Sequence, residues 1–115
     1  MDMTFGQLLK DLRRAKGVNQ RDLASKVGVD FSYISKLEND RLPPPAADTV
    51  VKICEVLGVE PENLLSVSGK VPSDVTEMLS GNPSALQFVR EAQRRGLTSS
   101  DWDRLGKSLR RLRKG

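Results

Sequence analysis

Apolar residues recur three or four positions apart in several short segments of the chain, which is the spacing of one face of an α-helix. The first of these sets lies close to the N-terminus and consists of Phe5, Leu8, Leu9 and Leu12. Thr4 precedes it and Gln7 follows three residues later, a pattern typical of a helix-capping box. The pattern predicts a first helix that ends near Gly17.

The next two predicted helices are short and closely spaced. Asn19 is a start signal for the second helix, and Gly28 is a stop signal. Asp30 can cap a third helix, in which Ile34 and Leu37 face inward. Its outer face then carries Phe31, Ser32, Ser35 and Lys36.

A proline run, Pro43 to Pro45, ends the third helix and predicts an extended loop. A fourth helix rich in Val and Ile follows and ends at Gly58, and a fifth opens at Pro61. We therefore predict a five-helix domain over residues 1–66. The small and turn-forming residues that follow predict a linker over 67–72 and a helical extension over 73–115.

The extension is predicted to contain three short helices, the last capped by Thr98. This helix carries one apolar stripe, formed by Trp102, Leu105, Leu109 and Leu112. The stripe is either the core of the extension or an interface with another chain. Because so small a unit seldom buries enough apolar surface alone, we expect it to form a homodimer.

Composition supports an all-α protein and argues against several classes of function. Apolar residues make up 37% of the chain and aromatic residues only 4%, so the core must be mainly aliphatic. With no histidine and a single cysteine, Cys54, we expect no catalytic activity, no metal and no cofactor. The chain has no long apolar run, so we expect a cytoplasmic protein without a membrane segment.

Charge is unevenly distributed along the chain. Residues 1–69 contain nine Lys or Arg and ten Asp or Glu, whereas residues 90–115 contain nine Lys or Arg and only three Asp or Glu. A near-neutral domain binds nucleic acid only if its cations gather on one face. Net charge alone therefore does not predict a nucleic-acid-binding function for this chain, and a motif is needed to predict one.

The second and third helices have the composition of a helix-turn-helix motif. Such a motif needs a small residue where the helices approach, a glycine-like turn, and an apolar residue that packs the second helix against the first. Ala24, Gly28 and Ile34 occupy these positions in order. A helical hairpin without a binding function has the same spacing, so spacing alone leaves both alternatives open.

The segments Gly17–Val29 and Tyr33–Asn39 together resemble the Cro and phage-repressor-like helix-turn-helix family. The resemblance continues through Asp48–Ile53 and Pro61–Leu65, and covers roughly residues 4 to 66. It implies a lambda-repressor-like DNA-binding domain whose partner is double-stranded DNA.

The resemblance also implies roles for individual residues. The positions that face DNA bases are Phe31, Ser32, Ser35 and Lys36, where Lys suits guanine acceptors and Phe suits a thymine methyl. The positions that face the DNA backbone are Asn19, Gln20, Tyr33, Asn39 and Arg41. Arg13 and Glu38 match a partly buried ion pair that holds the third helix at its angle, although two solvated surface charges are the alternative.

Two positions depart from the family pattern. Asp40 stands where relatives prefer glycine, so a non-glycine residue must adopt a left-handed or turn conformation. Ala46 stands where many relatives have a Ser or Thr cap. Both departures predict a softer loop between Asp40 and Ala47.

The family resemblance implies a transcriptional repressor that binds a palindromic operator as a dimer. The alternative is an antitoxin or interaction regulator whose C-terminal helices bind a partner protein, such as a toxin or a regulatory metallopeptidase.

Overall fold

The computed structural model describes residues 2–112, and this part of the chain is all-α, as predicted. The helices are α1 (Phe5–Ala15), α2 (Gln20–Val27), α3 (Phe31–Glu38), α4 (Ala47–Leu57), α5 (Glu62–Ser68), α6 (Ser73–Ser80), α7 (Pro83–Arg95) and α8 (Ser99–Arg110). The chain divides into two compact units, the first running to Thr76 and the second beginning at Glu77. None of the helices within residues 2–112 is long and apolar enough to span a membrane.

An aliphatic core holds the first unit together. Helix α3 packs against α1 and α2, while α4 contacts α2 and α5. The side chains without solvent exposure are Leu9, Leu23, Ile34, Leu37, Val50, Ile53, Cys54 and Leu64. Burial of an aliphatic side chain stabilises a fold by roughly 1.5–3 kcal/mol. Because the helical spacing of these residues places them on one face of each helix, α1 to α5 pack with those faces together.

Side-chain capping fixes the start of two of the five helices α1 to α5. The Thr4 hydroxyl accepts a hydrogen bond from the backbone N–H of Gln7 (3.1 Å), and the Asn19 side chain accepts one from Asp22 N (2.8 Å). Asp30 is the N-cap of α3, but its side chain makes no capping hydrogen bond. Ala46 likewise leaves α4 without a side-chain cap. The N-terminus of α3 therefore lacks the side-chain cap expected from the sequence.

A close helix contact connects the end of α3 to the start of α1. Asp40 has a φ of 56°, the left-handed conformation expected at this position. Its carboxylate accepts hydrogen bonds from Gly6 N (2.9 Å) and from the Thr4 hydroxyl (2.6 Å). A Cβ at Gly6 would lie 2.4 Å from the carbonyl oxygen of Leu37. Asp40 is thus bonded to the start of α1, and the softness of the loop between Asp40 and Ala47 stays a prediction.

The first unit extends beyond residue 66 and includes the segment expected to be a linker. Helix α5 continues to Ser68, and the Lys70 ammonium donates hydrogen bonds to the carbonyl oxygens of Pro44 (2.9 Å) and Pro45 (3.0 Å). The Ser73 hydroxyl donates to Asp48 (2.9 Å). These bonds join residues 25 or 26 positions apart in the sequence. The small and turn-forming residues of the segment therefore did not predict them.

The second unit contains α7 and α8 and has little interior. The Asn82 side chain caps α7, and Thr98 and Asp101 form the predicted capping box at the start of α8. Among the described residues of this unit, only Ala92 is buried. The local signals therefore form the helices, but the unit encloses almost no apolar surface by itself.

Candidate nucleic-acid interface

The turn between α2 and α3 has the geometry that the helix-turn-helix pattern predicts. Gly28 adopts a φ of 89°, and both Gly28 N and Val29 N donate to the carbonyl oxygen of Ala24, at 2.8 and 2.9 Å. Ala24 is 2% exposed and Ile34 is fully buried. The small residue and the apolar residue thus fix α3 against α2.

Helix α3 has a buried face and a solvent-facing face. Ile34 and Leu37 point into the core. Phe31, Ser32 and Lys36 are exposed, and Ser35 is half-buried. All four predicted base-contacting residues therefore have solvent access. A neighbouring molecule can contact this helix without disturbing the core.

A cleft of about 640 Å³ lies between α1, α2 and α3. Five predicted DNA-contacting residues line it, namely Asn19, Gln20, Phe31, Ser35 and Asn39. Three cations that the sequence pattern did not predict also line it: Lys10, Arg14 and Arg21. Ser32, Tyr33, Lys36 and Arg41 lie outside its lining. The fold thus gathers positive charge beside α3 in a unit whose sequence is near neutral.

A buried ion pair forms the base of this cleft. The Arg13 guanidinium donates from Nε to Glu38 Oε2 (2.6 Å) and from Nη2 to Glu38 Oε1 (2.9 Å). Arg13 Nη1 also donates to the Val18 carbonyl oxygen (2.8 Å). The hydrogen bonding that Arg13 donates to the Glu38 carboxylate raises the pKa of Arg13 above its ordinary value. The pair connects the last turn of α1 to the last residue of α3.

Gln20 belongs to the same network. Its side-chain Nε2 donates to Glu38 Oε1 (2.9 Å), so Glu38 accepts three hydrogen bonds from two side chains. An amide NH₂ has two hydrogens, and the second remains available to a DNA phosphate. Gln20 can therefore hold α3 in place and contact DNA with the same group.

The other predicted backbone-contacting residues lie around the end of α3. Asn39 is exposed, and its Nδ2 donates to the Ser35 carbonyl oxygen (2.9 Å). Tyr33 is half-buried against the core and Arg41 is exposed. Their contacts with DNA stay predictions.

The comparisons with known proteins agree with this geometry. A model of the helix-turn-helix family matches residues 9–64. The uncharacterized HTH-type transcriptional regulator RghRB of Bacillus subtilis is 33% identical over 112 residues, covering 90% of this chain and 81% of that protein. The chain belongs to the Cro and phage-repressor-like helix-turn-helix family of transcriptional regulators.

Two solved structures extend the likeness. The biofilm master regulator SinR in complex with DNA is 35% identical with a TM-score of 0.51, covering 54% of this chain and 98% of that one. A SinR–SinI complex contains a chain 26% identical with a TM-score of 0.52, covering 93% of this chain and 95% of that one. Helix α3 is the second helix of the motif, the position that the recognition helix has in helix-turn-helix proteins.

Arg21 and Phe31 form a contact that the sequence pattern did not predict. The guanidinium carbon of Arg21 lies 4.6 Å from the centroid of the Phe31 ring. Arg21 follows the predicted phosphate-contacting Gln20 directly in α2. The two residues are ten positions apart in different helices, so only the angle of the helix-turn-helix brings them together.

Cys54 is buried in α4, and burial raises the pKa of its thiol to about 11. The thiolate needed for nucleophilic chemistry is therefore scarce at neutral pH. Among residues 2–112, no group of three or more Cys, Asp or Glu side chains is placed to hold a metal ion.

The predicted dimerisation stripe lies in the second unit, but α8 ends at Arg110, so the helix carries Trp102, Leu105 and Leu109 while Leu112 follows its end. Trp102 is 46% exposed and both Leu109 and Leu112 are 66% exposed, whereas Leu105 is half-buried. Phe88 of α7, which the sequence pattern did not predict at this site, joins these side chains around a cavity of about 390 Å³. The apolar surface is thus a groove between α7 and α8.

Proposed function

We propose that this regulator is a transcriptional repressor that binds a palindromic operator as a homodimer in the cytoplasm, and that it has no catalytic activity. The recognition helix of each protomer enters the major groove of one half-site. The observation that carries the proposal is the outward face of α3, where Phe31, Ser32 and Lys36 are exposed over a fixed core. These three side chains then contact base edges.

The cleft beside α3 supports an approach of the DNA backbone from the same side. Lys10, Arg14 and Arg21 line it together with the amides of Asn19 and Gln20. Cations and amides bind phosphate and fix the register of a protein on a duplex. We assign phosphate contacts to these residues.

The groove between α7 and α8 supports a dimer. A soluble unit seldom leaves several large apolar side chains exposed together unless another protein covers them. Trp102, Leu109 and Leu112 are exposed in this way around the cavity. Pairing of this groove with its copy gives the two-fold symmetry that an inverted repeat requires.

Selection of bound sequences from a random duplex pool tests the operator. We expect an inverted repeat whose half-site centres lie about one helical turn apart, roughly 34 Å. Recovery of asymmetric single sites would contradict the dimer model while leaving DNA binding intact.

Two substitutions test the assignment of contacts. Gln20→Ala should weaken binding to all duplexes because it removes a phosphate contact. Lys36→Ala should change the preferred base at one position of each half-site, by roughly 1–3 kcal/mol. Equal effects of both variants on every duplex would refute the division between base and backbone contacts.

A second candidate function is a regulator whose C-terminal helices bind a different protein, such as a toxin or a regulatory metallopeptidase. The same exposed groove favours it, and a similar solved protein, SinR, is found in complex with SinI. Light scattering of the purified chain separates the candidates. A dimer across micromolar concentrations supports self-pairing, whereas a persistent monomer supports a foreign partner.

A further inference from the structure

The contact between Arg21 and Phe31 lies at the edge of the cleft, where α2 and α3 both begin. Arg21 is the second residue of α2, and Phe31 is the first residue of α3. The guanidinium carbon is 4.6 Å from the ring centroid, within the range of a cation–π interaction. The interaction restrains both side chains before any DNA arrives.

Phe31 is a large apolar side chain that remains 40% exposed. The Arg21 guanidinium lies over one face of its ring. The N-terminal residues of a recognition helix are those that meet base edges. Among the four standard DNA bases, the methyl group exposed in the major groove is the C5-methyl of thymine. An exposed phenyl ring at this position therefore matches a methylated pyrimidine.

The Arg21 side chain keeps its hydrogen-bonding capacity in this arrangement. Within residues 2–112 its guanidinium takes part in a ring contact and in no ion pair or side-chain hydrogen bond. A guanidinium has five N–H donors in one plane. These donors can bind a phosphate or the acceptors of a guanine beside the pyrimidine while the flat face stays on Phe31.

We propose that Arg21 and Phe31 act together as a sensor of the C5-methyl group of a pyrimidine in each half-site. Phe31 contacts the methyl group, and Arg21 is the positioning residue that holds the ring against it. The inference rests on the proposed operator binding and adds a specificity determinant to it. Because 5-methylcytosine carries the same group, cytosine methylation at this position changes operator affinity.

The test uses the intact protein and the duplex obtained by selection. Each thymine is replaced in turn by deoxyuridine, and each cytosine by 5-methylcytosine, and affinities are measured by competition. We expect one position per half-site at which the methylated base binds about fourfold more tightly than its unmethylated counterpart, the effect of one buried methyl group. A loss of affinity when a thymine is replaced by deoxyuridine identifies thymine as the natural ligand. A gain of affinity when a cytosine is replaced by 5-methylcytosine identifies 5-methylcytosine as the ligand.

Variants separate this role from a general loss of affinity. Phe31→Ala should bring the methylated-to-unmethylated ratio at that position close to one, and Phe31→Leu, which keeps an apolar side chain, should retain part of it. Arg21→Gln should lower the same ratio, because the ring is no longer held. Lys26→Gln is the matched control, since Lys26 is an exposed cation of α2 outside the cleft, and it should leave the ratio unchanged.

Specific binding with no methyl effect at any position would overturn this inference and leave the proposed function standing. A methylated-to-unmethylated affinity ratio that is unchanged in Phe31→Ala would also overturn it. An unchanged ratio in Arg21→Gln would show that Arg21 does not position the ring. Failure to bind any selected duplex would instead refute the proposed function on which the inference rests.

Discussion

Glu38→Ala is expected to destabilise the first unit far more than the loss of an ordinary surface charge. The Glu38 side chain is 1% exposed and accepts hydrogen bonds from Arg13 Nε, Arg13 Nη2 and Gln20 Nε2. Its removal leaves the Arg13 guanidinium, which is 10% exposed, with the Val18 carbonyl oxygen as its remaining partner.

Breaking a buried ion pair costs about 3–5 kcal/mol of unfolding free energy. Because Arg13 keeps its hydrogen bond to the Val18 carbonyl oxygen, we expect a cost at the lower end of this range. We expect a loss of about 3 kcal/mol, which is large beside a typical unfolding free energy of roughly 5–15 kcal/mol. For a domain of this size the melting temperature should fall by on the order of 15 °C.

Urea unfolding followed by circular dichroism measures this loss. Fluorescence of Trp102, the single tryptophan, reports separately on α8. Glu62→Ala is the control, because Glu62 is exposed in the first turn of α5 and should cost less than about 1 kcal/mol. The double variant Arg13→Met with Glu38→Leu should recover much of the stability, since it leaves no unpaired buried charge. Equal losses for Glu38→Ala and Glu62→Ala would refute the reasoning.

Three further predictions follow from helix packing, capping and the exposed groove. Gly6→Ala should lower the unfolding free energy by at least about 2 kcal/mol, because its Cβ would lie 2.4 Å from the Leu37 carbonyl oxygen. Gly106→Ala, whose Cβ has room, should stabilise α8 by about 0.5–1 kcal/mol. Changes in unfolding free energy of the same sign for both variants would contradict this account. The hydrogen bond from Thr98 N lowers the pKa of Asp101, so its contribution to α8 is present above the ordinary value of 3.8 and is lost as pH falls through the lower folded-state pKa. An acid titration of Trp102 fluorescence should show this loss, and an identical titration in Asp101→Asn would contradict it. Trp102→Ala should shift the protein toward monomer in sedimentation and weaken operator binding while α1 to α5 stay folded, and an unchanged dimer would exclude the groove as the interface.

Local signals in the sequence were sufficient to predict most helix starts. Thr4, Asn19 and Thr98 each cap a helix as expected, because a capping bond joins residues only three positions apart. Asp30 failed as a side-chain cap, since the residue type permits the bond without requiring it. Capping residues therefore identified where helices begin but not every bond that supports them.

Contacts between distant segments could not be predicted in the same way. Asp40 bonds Gly6 across 34 positions, and Lys70 bonds Pro44 across 26. The Arg21–Phe31 contact depends on the angle between α2 and α3. Family resemblance pointed to Arg13 with Glu38, but it gave no sign of these three contacts, which depend on tertiary placement.

The apolar stripe of α8 illustrates a different limit. Its period predicted a helix with one apolar face, and Trp102 lies on that face. Whether such a face is core or interface depends on what covers it, and the pattern is identical in both cases. The structure of the chain leaves it exposed around the groove shared with Phe88.

The affinity of the selected duplex as a function of salt tests the central claim most directly. If α3 reads bases while the cations of the cleft neutralise phosphates, the selected duplex should bind at least about 10³-fold more tightly than a scrambled duplex at physiological salt. The logarithm of its binding constant should fall linearly with the logarithm of salt concentration, with a slope of about −0.9 per phosphate contacted. Affinity that is independent of salt, or equal for selected and scrambled duplexes, would contradict the account.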